Sequence, residues 1–311
     1  MEAVVKSNSQ SNGFIRYVKS HIWLYVLFLP GALFFIIFKY IPMLGVVIAF
    51  QNYNPFQGFL GSAFVGLTHF KNFLTGPDFW MLLKNTLAIS LLSLVFYFPL
   101  PIIVSLLLNE IKSQGYKRTI QTLVYIPHFV SFVIVASLTY TLFNINDGII
   151  HELLLNITGK NIDILASPQY FRAMIVGQSM WKETGYGTII FLAALSGVDM
   201  ELYEAAKVDG AGRWRLMWHI TLPAIRGTII IMLILRVGSV LNTGYEQIYL
   251  MSNDLNRSMA EVFDTYVYTK GIVQGQYSYS TAVGLFKSVI SMIMVLGANK
   301  IAKLCGESGI Y

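Results

Sequence analysis

Apolar residues in this chain gather into six long runs, and the polar positions between them form short basic or glycine-rich segments. The runs cover about 22–41, 85–108, 120–143, 171–198, 224–250 and 281–302. A helix that crosses a bilayer needs about 20 predominantly apolar residues. In lipid every backbone N–H and C=O must be paired within the protein, so runs of this length are read as helices. The pattern predicts an all-α, polytopic membrane bundle of six transmembrane helices over 22–302, with tails at 1–21 and 303–311. The first tail carries a weakly amphipathic patch at 14–18, and 42–50 is expected at the outer face. Three runs are irregular. Pro99 and Pro101 interrupt the second and Pro127 with His128 the third, which neighbouring helices must compensate. In the fourth, Gly185 and Gly187 predict a broken helix, the kind of element that marks binding sites in transporters.

One polar stretch between two spans reads as structured: residues 200–223, containing E-A-A-K-V-D-G-A-G-R-W-R-L-M-W-H-I-T-L-P. Glu204 to Asp209 can form a short helix that Gly210 ends, because glycine takes the left-handed conformation without strain. Arg213 to Ile220 reads as a second helix. Pro223 suits the first turn of the next one, where its missing N–H is not needed. The result is a helix–turn–helix hairpin on a membrane surface.

Composition agrees with the pattern. The chain is 55% hydrophobic and 12% charged, with mean hydropathy +0.59, whereas a soluble domain carries about 25% charged residues. The net charge of +6 reflects membrane orientation rather than nucleic-acid binding, because the basic residues flank spans. With the N-terminus inside, 12 Lys and Arg fall in inner segments and 5 in outer ones. The positive-inside rule then puts both termini and the hairpin in the cytoplasm. A single cysteine, Cys305, rules out an internal disulfide and a cysteine-based metal cluster, and five scattered histidines offer no metal site. No cleaved signal is evident. The chain lacks G-x-x-x-x-G-K-[ST], H-E-x-x-H and G-x-S-x-G, which argues against a self-powered ATPase of that type and against a membrane-embedded enzyme.

Charged residues inside spans are costly and face bundle interiors or wet cavities; Lys39, Arg172, Lys182, Arg236 and Lys287 are such residues. At about 100° per residue, Arg236, Ser239, Asn242, Thr243, Glu246 and Tyr249 share one face of a helix over 224–250. Val237, Val240, Leu241 and Gly244 lie on the other. This polar, aromatic-edged stripe, with Tyr245 beside it, suits a neutral or weakly acidic carbohydrate. Trp181, Lys182 and Tyr186 in the fourth span, next to Glu183, form a second candidate wall. The alternative for the first is a polar face tied up in contacts with other spans, and for the second a kinked helix packed through small residues with Trp181 as an interfacial anchor.

Glu204-Ala205-Ala206, Gly210 and Ile220-x-Leu222-Pro223 resemble the EAA loop of permease subunits in binding-protein-dependent ABC importers. In that family the loop is a coupling helix docked in an ATPase cleft. The resemblance implies coupling roles for Glu204, Ala205, Ala206, Asp209, Gly210, Arg213, Ile220, Leu222 and Pro223. It implies no cofactor in this chain, with ATP and Mg held by a partner ATPase. Further implied partners are a second, different permease, two ATPase subunits and an extracellular solute-binding lipoprotein, all at a bacterial cytoplasmic membrane. I-F-K-Y-I-P-M at 37–43, D-T-Y-V-Y-T-K-G at 264–271 and Y-S-Y-S-T-A-V-G-L-F-K-S-V at 277–289 are similar to the branch importing plant-polysaccharide fragments and related oligosaccharides. The competing reading is an independent ion-coupled secondary transporter. It needs mid-depth acidic or histidine relays, for which only Glu183 and Glu246 qualify, and uptake by the chain alone without ATP would identify it.

Overall fold

The computed structural model describes Tyr17, residues 19–306 and residues 309–310. Most of the tail at 1–21, including all of its amphipathic patch except Tyr17, lies outside the described residues. Two compact units are present, one up to Gly66 and the other from Leu67.

In the first unit, α1 (Ile22–Phe50) runs 29 residues, about 43 Å at 1.5 Å per residue, longer than the roughly 30 Å hydrocarbon core. None of its side chains over Ile22–Phe35 is buried, as expected for a lipid-facing surface. A short antiparallel pair follows, β1 (Gln51–Asn52) with β2 (Ala63–Phe64). The loop between them is held by the Asn54 N–H donating to Ser62 Oγ at 3.0 Å.

The second unit begins with α2 (Thr68–Leu74) and α3 (Asp78–Asn109). A bent pair follows, α4 (Gln114–Phe129) and α5 (Phe132–Phe143), turning by 96° at the expected Pro127–His128 region. Next come α6 (Ile149–Thr158), α7 (Pro168–Ser196) and α8 (Met200–Val208). A second bent pair, α9 (Arg213–Ala224) and α10 (Arg226–Gly238), turns by 60°. The short α11 (Tyr245–Met251) and α12 (Phe263–Tyr268) lead to α13 (Tyr277–Leu304). Helices α1, α3 and α13 and both bent pairs are long and apolar enough to cross a membrane. The 29-residue α7 is long enough but more polar, and supplies the sixth passage among the described residues. The all-α, six-span membrane fold follows.

Prolines explain the irregular turns. Widened π turns occupy Ile36–Tyr40, Ser93–Tyr97 and Met217–Thr221, and in each case a proline (Pro42, Pro99, Pro223) follows two residues later. The residue just before each proline donates five positions back: Ile41 to Ile36, Phe98 to Ser93, Leu222 to Met217. Proline cannot donate, and its ring would meet the carbonyl four residues behind it. One wide turn re-registers the ladder, so α1 and α3 continue through their prolines. Pro223 therefore lies near the end of α9, not in the first turn of the following helix as its sequence position suggested; the chain bends after it, at Ile225.

The expected break in the fourth span is also absent, since α7 is continuous from Pro168 to Ser196. Its glycines serve close approach instead. A β-carbon at Gly185 would stand 2.0 Å from the Val124 carbonyl oxygen, and one at Gly187 would stand 2.8 Å from Pro101 Cγ. Thr184 and Thr188 hydroxyls bond to carbonyls one turn back, at 2.5 and 2.8 Å, so the polar side chains are satisfied inside the helix itself. Buried apolar clusters then lock the unit. Phe171, Ile175, Ile89 and Ile248 join α7, α3 and α11, while Phe73, Leu82, Leu241 and Phe263 join α2, α3, α12 and the segment after α10.

Candidate functional site

The fifth passage does not run as one helix over 224–250. Helix α10 ends at Gly238, the chain turns through 239–244, and α11 restarts at Tyr245. Gly244, at φ +88°, takes a backbone conformation that side chains rarely adopt. Gly238 is pressed against Val295, where a β-carbon would stand 2.1 Å from a methyl group. Distant side chains take over the backbone groups released by the break. The Thr243 N–H donates to Asp264 Oδ2 at 3.1 Å, Asp264 is ion-paired with Lys287, and the Ser90 hydroxyl bonds to the Val240 carbonyl. The helical-wheel stripe from Arg236 to Tyr249 is thus corrected: a single helical phase does not extend across these residues.

The break opens a cavity of about 320 Å³ whose wall mixes polar and apolar side chains. Of the residues expected on the stripe, Arg236, Ser239, Asn242 and Thr243 line it. Helix α3 adds Ser90, Ser93 and Tyr97, α7 adds Ser179 and Glu183, and α11 adds Gln247. Arg236 sits over the Tyr97 ring, 5.1 Å from its centre. Gln247 locks α11 onto α7 by donating to the Ile175 carbonyl at 2.8 Å and to Gln178 Oε1 at 2.9 Å, and it accepts from the Ser179 hydroxyl at 3.1 Å. Thr243 Oγ1 is buried without a hydrogen-bond partner among the described residues. Ser93 and Tyr97 are the two ends of the π turn before Pro99; that proline was the one sequence signal pointing to the α3 wall.

The remaining expected wall residues lie elsewhere. Glu246 is exposed on α11 outside the cavity. Tyr245 and Tyr249 form an aromatic cluster with Tyr268, ring centres 4.8 to 5.2 Å apart. Trp181 borders a separate apolar groove beside Leu138 and Met174. Lys182 is buried, donating to the His128 carbonyl at 2.7 Å and pairing with Glu183 Oε1 at 3.0 Å. His128 Nδ1 lies 2.7 Å from Glu183 Oε2, and Tyr186 stacks on the His128 ring at 4.3 Å. This group fastens the α4–α5 bend to α7, so Lys182 and Tyr186 support the wall rather than face the cavity.

The hairpin is built by local rules. Asp199 caps α8 by accepting the Glu201 N–H at 2.9 Å. At its end the Ala211 N–H reaches the Ala206 carbonyl at 2.9 Å and the Gly210 N–H reaches Lys207 at 3.0 Å, a Schellman closure with Gly210 at φ +77°. No atom lies within 4 Å of a β-carbon built at Gly210, so glycine is required by backbone conformation rather than space. Tyr203 and Thr221 hydroxyls meet at 3.1 Å and join the two arms. Glu204, Ala205, Asp209, Arg213 and Pro223 are exposed, while Ala206, Ile220 and Leu222 are half-buried. Met200, Leu202, Val208, Trp214 and Trp218 add an exposed apolar surface.

The same architecture is found in known proteins. Residues 98–303 match a family described as the binding-protein-dependent transport system inner membrane component. The chain is 56% identical over 310 residues to the protein LplB of Bacillus subtilis (strain 168), covering 100% of this chain and 98% of that one. It is 53% identical over 289 residues to the polygalacturonan/rhamnogalacturonan transport system permease protein YteP of the same organism, covering 93% of this chain and 90% of that one. It superposes with a TM-score of 0.86 and 37% identity on a chain of a bacterial alginate ABC transporter crystallised with an alginate pentasaccharide-bound periplasmic protein. That match covers 95% of this chain and 99% of that one. By family match, by identity along nearly its whole length and by fold, the chain belongs to the binding-protein-dependent transport system inner membrane components.

Proposed function

We propose that this permease subunit carries an oligosaccharide through the cavity beside the 239–244 break, driven by an ATPase in another chain that grips the 200–223 hairpin. The observation that carries the substrate reading is the cavity wall, where the Ser93 and Ser239 hydroxyls and the Asn242 amide stand with the Tyr97 ring, while Ser90 and Gln247 are engaged inside the protein. Sugars present many hydroxyls and apolar ring faces, and such a wall matches both. Relatives named for polygalacturonan/rhamnogalacturonan transport and for alginate transport support an oligosaccharide rather than a monosaccharide. A second, different permease would complete the path, an extracellular binding protein would deliver the sugar, and both termini would be cytoplasmic. This chain would hold no cofactor, with ATP and Mg bound by the partner. The EAA residues Glu204, Ala205, Ala206, Asp209, Gly210, Arg213, Ile220, Leu222 and Pro223 would form the docking handle. A capped, closed helix can pass on a partner's movement as a rigid body.

Two variants test this in the reconstituted assembly. Asn242→Leu should lower oligosaccharide uptake at least tenfold while the complex still forms; unchanged uptake moves the path elsewhere. Gly210→Pro should leave the spans inserted but abolish ATPase association or ATP-driven uptake. Normal association together with normal uptake would refute the coupling role.

A further inference from the structure

We propose that Arg236 is the charge-reading residue of the cavity and makes this permease selective for oligosaccharides containing uronate residues. The inference rests on the reading of the cavity as the substrate path. Glu183 and Arg236 are the charged side chains in the wall, and they are not equivalent. Both Glu183 oxygens are engaged, one by Lys182 at 3.0 Å and the other by His128 at 2.7 Å. Its charge is offset from behind the wall and offers little to a ligand. Arg236 has no such offset: among the described residues no carboxylate pairs with it and no acceptor is described for its side-chain N–H groups. Its described neighbour is the Tyr97 ring, 5.1 Å away, which supports a guanidinium through its π face.

The cavity therefore carries one uncompensated positive charge in a wall that otherwise mixes neutral hydroxyls and amides with apolar side chains such as Ile89, Leu94, Phe132 and Val237. An unpaired arginine at membrane depth is costly, and the cost is offset when an anion enters. A guanidinium presents a planar fork of donors that fits a carboxylate through two parallel hydrogen bonds. A neutral sugar needs none of this, since Ser93, Ser239 and Asn242 already serve ring hydroxyls. A uronate needs both parts, because it carries ring hydroxyls and a carboxylate on one ring. The lysine–histidine clamp on Glu183 is part of the same design: an unpaired Glu183 in this wall would either neutralise Arg236 or repel the incoming carboxylate.

The test compares trigalacturonate with its fully methyl-esterified form as uptake probes, using the complete reconstituted transporter and one binding protein throughout. Any preference of the binding protein then cancels when variants are compared by their acid-to-ester uptake ratio. Arg236→Gln should lower that ratio at least tenfold, and Arg236→Lys, which keeps the charge but loses the fork, should lower it by several-fold. A wild-type ratio in Arg236→Gln overturns the proposal; if that variant does not assemble, a wild-type ratio in Arg236→Lys overturns it. Asn242→Leu separates the two readings. If it blocks both probes while Arg236→Gln keeps the ratio, only the charge-reading role fails. If it transports both probes normally, the cavity is not the path and the proposal falls with it.

Discussion

The hairpin at 199–225 and the break at 239–244 are both departures from a simple spanning helix, yet they are specified in opposite ways. In the hairpin nearly every defining interaction joins residues within six positions: the Asp199 cap, the Gly210 closure and the π turn before Pro223. At the break the deciding partners are Asp264, Ser90 and Lys287, which lie 20 to 150 residues away in the chain. A locally specified element keeps its shape when the rest of the protein moves, as a mechanical handle requires. An element held by distant helices changes when those helices move relative to one another, which suits the wall of a path that must open and close.

The largest effect is expected where distant support is removed. Asp264→Ala would leave the half-buried Lys287 without its carboxylate and the Thr243 N–H without an acceptor. Removing one partner of a fully buried ion pair costs about 3–5 kcal/mol, and this partly exposed pair should fall toward the lower end of that range. Thermal unfolding of the purified complex should show the loss, and combining Asp264→Asn with Lys287→Met should recover much of it. If Asp264→Ala unfolded like wild type, the break would not depend on its distant partners.

A smaller effect is expected at the α7 contact. Gly185→Ala would place a methyl group 2.0 Å from the Val124 carbonyl oxygen, a backbone atom that cannot swing aside. Overpacking of this kind costs about 1–3 kcal/mol. Gly177→Ala in the same helix meets nothing within 4 Å, so it should be neutral or gain about 0.5–1 kcal/mol from helix propensity. Equal melting temperatures for the two variants would mean that Gly185 is not needed for close approach.

How much could be read in advance follows the same division. The six spans were legible because lipid forces long apolar runs into helices. The turn of the hairpin was legible because Gly210 acts on its neighbours, whereas the Asp199 cap, which starts α8 four residues before the expected Glu204, was missed and Pro223 was assigned to the wrong helix. The cavity was half legible: Arg236, Ser239, Asn242 and Thr243 are all in its wall, though a helical phase that does not exist first grouped them. Ser90, Ser93, Ser179 and Gln247 were missed, since a small polar residue in an apolar run looks the same whether it faces a neighbouring helix or a void. Gly185 and Gly187 were misread because a glycine pair permits either a break or a close contact, and only the facing Val124 and Pro101 decide between them.

The smallest effect should come from the hairpin, and it tests the local side of the comparison most directly. The Tyr203–Thr221 hydrogen bond, at 3.1 Å, is the described link between the two arms that spans more than a few residues. Tyr203→Phe removes the hydroxyl and keeps the ring, and a single net hydrogen bond is worth about 0.5–1.5 kcal/mol. Thr221 Oγ1 would keep its bond to the Leu216 carbonyl, at 3.3 Å, so no buried hydroxyl would be orphaned. If the hairpin is shaped by its cap, its Schellman closure and its proline, the variant should dock the ATPase and drive uptake within about twofold of wild type, at a slightly lower melting temperature. A tenfold loss of coupled uptake with the ATPase still bound would mean that the handle is held rigid by this cross-arm bond, and the hairpin would then belong with the break as an element set by its longer-range partners.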